Sequence, residues 1–157
     1  MRLPSSPLSV SVVLLTLAAT AFAADDAPAV EGDLKGLQGS WQTKLGPEKD
    51  VPLVVAIKGD AVTATFTGAG GESVVLKGKI RLDEKASPRT IDWVEFNRPD
   101  GAPAEKNQGI YELKGDTWRV CNGGPGNSRP TEFAGGFGDR PTLIVFERVK
   151  DEPKTKD

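Results

Sequence analysis

The chain has 157 residues, a formal net charge of −2, no histidine and one cysteine. That charge does not mark a nucleic-acid or anionic-membrane surface. A lone cysteine excludes an internal disulfide, and the missing histidine argues against a zinc or copper site and removes the commonest general base with every triad built on it.

Arg2 precedes an apolar run from Val10 to Phe22, and Ala21-Phe22-Ala23 supplies a small-x-small cleavage site. This predicts a secretory signal peptide over residues 1–23 and an exported, periplasmic or extracellular protein. The run is shorter than the ~20 residues of a spanning helix, which makes a retained anchor the weaker alternative. Residues 24–32 are small, acidic and polar and read as a flexible lead. Asp33 to Gln38 fits one helical turn, with Asp33 as the N-cap and Leu34 and Leu37 on one side.

Gly39-Ser40-Trp41 opens the first strand, with Trp41, Thr43 and Leu45 on one face. Residues 53–57 and 61–67 form a hairpin across Gly59-Asp60. A two-residue turn fixes its register: Ile57 faces Val62, Val55 faces Ala64 and Leu53 faces Phe66. The next strand alternates, with Val74, Leu76, Gly78, Ile80 and Leu82 inward, and Gly78 predicts a bend or bulge. Thr90 to Phe96 is a strand with Ile91 and Trp93 on one face and Val94 and Phe96 on the other, its facing ambiguous; 97–107 is a loop.

The most informative stretch is Gly109 to Phe133. Its hairpin turns at Gly115-Asp116, so Leu113 faces Trp118, Tyr111 faces Val120, Glu112 faces Arg119 and Ile110 faces Cys121. The first two pairs point inward. The outward pair Ile110 and Cys121 needs a cover, which Phe133 or Pro130 of the returning segment can give. A glycine-rich loop runs from Asn122 to Pro141, long enough to suggest a function such as a lid. Residues 142–149 form the last strand, and 151–157 a charged tail expected to be disordered.

Eight strands in sequential hairpins predict an all-β, antiparallel up-and-down barrel with one short helical turn, spanning residues 33–150. A two-sheet sandwich is the competing arrangement. Gly39-Ser40-Trp41 after a helical turn resembles the opening of lipocalins. In that family the Trp plugs the closed end of an eight-stranded barrel and an Arg of the last strand packs across it; Arg148 stands in the matching place. Leu37 to Trp41, Ile91-Asp92, Gly109 to Thr117, Cys121 and Arg129-Pro130-Thr131-Glu132-Phe133 together resemble a lipocalin-like domain family of planctomycete-type bacteria, uncharacterised in function. The resemblance covers most of the chain and implies the barrel. It implies no reaction or cofactor, and the chain lacks the disulfide of full-length lipocalins and their helix after the last strand.

Trp93, Tyr111 and Trp118 can line a ligand cavity or fill an ordinary core, with a lean to cavity wall for Tyr111 and Trp118 and to core for Trp41. Arg129 and Glu132 read as an anion clamp and an acid–base group, or as an ion pair pinning their loop. Cys121 is a reactive thiol, an intermolecular bridge or a covered small apolar residue. The leading expectation is an exported binding module for a small apolar or amphipathic molecule, with no cofactor and no catalytic residue. The alternative is an envelope protein-interaction module with a solid core and a functional 122–138 loop; an enzyme using Glu132, Arg129 or Cys121 is the third.

Overall fold

The structure is a computed structural model that describes residues 29–136 and 138–150. The signal peptide expected at 1–23, most of the lead and the tail expected at 151–157 lie outside these residues. A single helical turn, α1 (Gly32–Gly36), precedes eight strands: β1 (Gly39–Leu45), β2 (Val51–Lys58), β3 (Ala61–Thr67), β4 (Ser73–Asp83), β5 (Thr90–Val94), β6 (Asn107–Lys114), β7 (Thr117–Pro125) and β8 (Thr142–Arg148). Each pairs antiparallel with its sequence neighbour, and β8 returns to β1 to close the barrel. Closure leaves no full-length edge for another chain to extend. The sandwich alternative is excluded by that topology. Among the described residues no helix is long and apolar enough to cross a membrane.

Turn chemistry sets the register of both two-residue hairpins. Gly59 and Gly115 take φ of 63° and 57°, the positive value that a primed turn requires at its first position. Leu53, Val55 and Ile57 accordingly face Phe66, Ala64 and Val62. Tyr111 and Leu113 face Val120 and Trp118, while Ile110 and Glu112 face Cys121 and Arg119. The inward residues form one core that includes Trp41, Val55, Ile80, Ile91, Tyr111, Trp118 and Phe146.

Three local expectations are corrected. Gly78 carries no register break in the β3–β4 ladder; it provides space, because a Cβ there would collide with the Phe96 ring. Phe96 packs against the core on the same side as Ile91 and Trp93, not opposite them. The cause is Glu95, whose φ of 58° interrupts the strand alternation just before Phe96. The barrel's bulge lies instead between Asn107 and Gly109. Finally, α1 has Glu31 at its N-cap without a side-chain bond, and Asp33 is used elsewhere.

Candidate functional site

The two ends of the barrel are built differently. At one end lie α1, the β2–β3 and β6–β7 turns and the end of β8. Trp41 is fully buried there, and its indole N–H donates to the Leu37 carbonyl at 2.9 Å. The Arg148 guanidinium lies over the Trp41 ring, 4.2 Å from its centroid. It donates to the carbonyls of Gln38 and Gly36 at 2.9 and 2.6 Å and to Asp116 at 3.0 Å. Four fixed acceptors or faces around one cation make a rigid stopper. Beside it the Tyr111 hydroxyl donates to Asp33 Oδ2 at 2.8 Å, and Arg89 donates to the same oxygen at 2.7 Å. Burial, reinforced by the Asp33 carboxylate, raises the Tyr111 pKa above its ordinary value.

Above this floor sits an aromatic layer. Trp118 stacks on Phe146 at 4.9 Å, meets Trp41 edge-on at 5.7 Å and approaches Trp93 at 5.9 Å. Its indole nitrogen is, among the described residues, a buried side-chain polar atom without a hydrogen-bond partner.

The opposite half is hollow. A cavity of about 370 Å³ opens toward the β1–β2, β3–β4, β5–β6 and β7–β8 connections. Leu53, Val55, Phe66, Leu76, Ile144 and Phe146 make much of its wall. Its size falls within the range of small-molecule sites, and its lining has their usual character, mostly apolar with few polar groups. Trp93, Asn107 and Asn122 bring the polar groups of the inner strands, and residues 96–99 with Ala104 and Glu105 form one side of the mouth. The site is therefore framed by the β5–β6 connection, a stretch the sequence marked only as a loop. Phe96, an aromatic at its base, is the signal that could have identified it.

The sequence-selected residues separate. Trp93 borders the cavity, and its N–H donates to Asn122 Oδ1 at 2.8 Å. Tyr111 and Trp118 do not line it; they lie deeper, in the floor and the aromatic layer. Arg129 and Glu132 lie outside the barrel, both lining a cleft of about 420 Å³ in the β7–β8 loop. They are not paired with each other. Arg129 instead donates to Asp92 at 2.6 Å, to the Gly109 carbonyl at 2.6 Å, and to the Ile91 carbonyl and Gln108 at 3.3 Å each. Glu132 is exposed.

Arg129 thus fastens the loop across β5 and β6 on the outer wall. Ile110 and Cys121 are both buried, and the same segment reaches over Cys121, whose thiol donates to the Ala134 carbonyl at 3.2 Å. Phe133 lies under the Arg119 guanidinium at 4.8 Å. The strand β7 runs on to Pro125, so the loop starts later than its composition suggested, and none of its described residues beyond Pro125 lines the interior cavity. A lid over the mouth is therefore not what this loop forms.

The closure between β1 and β8 is short, with only Trp41–Arg148 and Gln42–Glu147 paired. Past that point a groove of about 680 Å³ separates the two strands. Leu45, Leu53 and Ile144 border both this groove and the interior cavity. Comparison of the chain with family models, with curated proteins and with solved structures gives no match.

Proposed function

We propose that this chain is an exported lipocalin-like binding module that holds a small apolar or amphipathic molecule inside its barrel. The observation that carries the reading is the cavity of about 370 Å³, open at one end and stoppered at the other by Trp41 and Arg148. An apolar guest gains roughly 25 cal/mol for each Å² it removes from water, and a fixed apolar wall adds little ordering cost. Export rests on the Val10–Phe22 run and its cleavage site. The hollow interior counts against the solid-core alternative. The resemblance to a lipocalin-like family agrees with a binding role and names no ligand.

Titration with N-phenylnaphthylamine tests the reading. The dye is expected to quench indole emission and brighten in the wild type. Ala64→Phe places a ring into the cavity from β3, where Ala64 lines the wall, and should weaken binding at least tenfold while the protein stays folded. Silence of the wild type across a panel of apolar dyes would overturn the proposal.

A further inference from the structure

The polar groups on the cavity wall are oriented by chemistry, not by choice of side-chain flip. An indole N–H can only donate, so Asn122 must present its oxygen to Trp93, as it does at 2.8 Å. A backbone N–H can only donate, so Asn107 must present its oxygen to Gly124, as it does at 3.0 Å. Both carboxamide oxygens are thereby engaged, and both Nδ2 groups remain. Among the described residues neither Nδ2 has a hydrogen-bond partner, and neither is sealed away as the Trp118 nitrogen is. Both residues line the cavity.

Two features show that this arrangement is built into the backbone. Gly109 faces Asn122 across the β6–β7 ladder, and a Cβ there would stand 2.6 Å from Asn122 Oδ1. Any larger residue would displace the amide from Trp93. The bulge between Asn107 and Gly109 alters the pairing beside these two amides, within the same ladder.

We infer that Asn107 and Asn122 form a paired amide-donor subsite that selects, among apolar molecules, those carrying a carbonyl-type oxygen. This rests on the binding role proposed above and narrows its ligand class. Arg98 and Glu105, one cation and one anion, both border the mouth, so charge alone does not choose the guest. The hydrogen-bond acceptor does, because each donor left unpaired under an apolar ligand loses its water without replacement.

The test is displacement of bound N-phenylnaphthylamine by methyl decanoate, decanoic acid and decylamine. The ester and the acid should each displace the dye at about tenfold lower concentration than the amine, which offers no carbonyl. Asn122→Asp keeps an acceptor for Trp93 and removes the Nδ2 donors; it should abolish the ester's advantage and shift preference to the amine. Asn107→Asp provides the same test at Gly124, and carries it should the first variant fail to fold. Equal displacement by all three ligands in the wild type, or an unchanged order in both variants, would overturn the inference while leaving the binding role intact. A wild type that takes up no dye would overturn both.

Discussion

The floor and the mouth of this barrel are made by the same strands and the same alternation, yet one is solid and the other hollow. At the floor, strand alternation is supplemented by groups from outside the sheet. Leu37 and the Gln38 and Gly36 carbonyls come from α1 and the residues just after it, and all are tied to Trp41 or to Arg148. At the mouth, the aliphatic Leu45, Leu53, Leu76 and Ile144 and the rings of Phe66 and Trp93 stand around a void, and the β5–β6 connection with Phe96 turns in on them. The difference teaches that alternation decides which side faces in, while depth along the axis decides whether that side meets another side chain or a void.

Substitutions at the two ends should therefore differ in cost. Trp41→Ala removes the central ring of the floor and is expected to lower stability by about 3–5 kcal/mol in urea unfolding. An unchanged midpoint would show that the stopper is dispensable. Arg148→Met keeps an unbranched apolar stem but removes the cation over the Trp41 ring and leaves two carbonyls without their donor, and should cost about 2–3 kcal/mol. At the mouth, Leu76 borders the cavity already. Leu76→Ala should cost only about 1–2 kcal/mol, below the usual range for a fully packed leucine. A cost equal to that of Trp41→Ala would erase the contrast between the ends.

The smallest effect sharpens the floor alone. Tyr111 is the single tyrosine of the chain, so tyrosinate absorbance reports it without interference. Its folded pKa is raised, whereas the unfolded chain releases this proton at about pH 10. The stability it contributes is therefore complete below about pH 10 and is lost as pH rises beyond, at no more than about 1.4 kcal/mol per pH unit. Tyr111→Phe should cost about 1 kcal/mol at neutral pH through the lost bond to Asp33, and the gap to wild type should shrink in alkali. A tyrosinate signal appearing at pH 10 in the folded protein would contradict this placement.

Hairpin register was readable because two-residue Gly-Asp turns leave one pairing, and 53–66 and 111–120 follow from it. The antiparallel barrel followed from the same alternation continued through eight strands. The site was less readable, for physical reasons at particular residues. Phe96 faces inward only because Glu95 adopts a left-handed conformation that residues other than glycine seldom take. Arg129 has a nearby carboxylate in sequence, Glu132, but its partner is Asp92, brought close by the β5–β6 pairing. Trp118 and Trp93 share an inward facing, and only strand stagger puts the first beneath the cavity and the second beside it. Asn122 belongs to a run that reads as loop, yet it continues β7 and holds Trp93.

Crystals of the protein equilibrated with xenon under pressure test the hollow half most directly, since xenon enters apolar voids that have room for it. The account predicts xenon within the barrel among Leu53, Val55, Phe66, Leu76 and Trp93, and none between Trp41 and Tyr111. A barrel interior that takes up no xenon, or takes it up beside the Trp41 stopper instead, would contradict it.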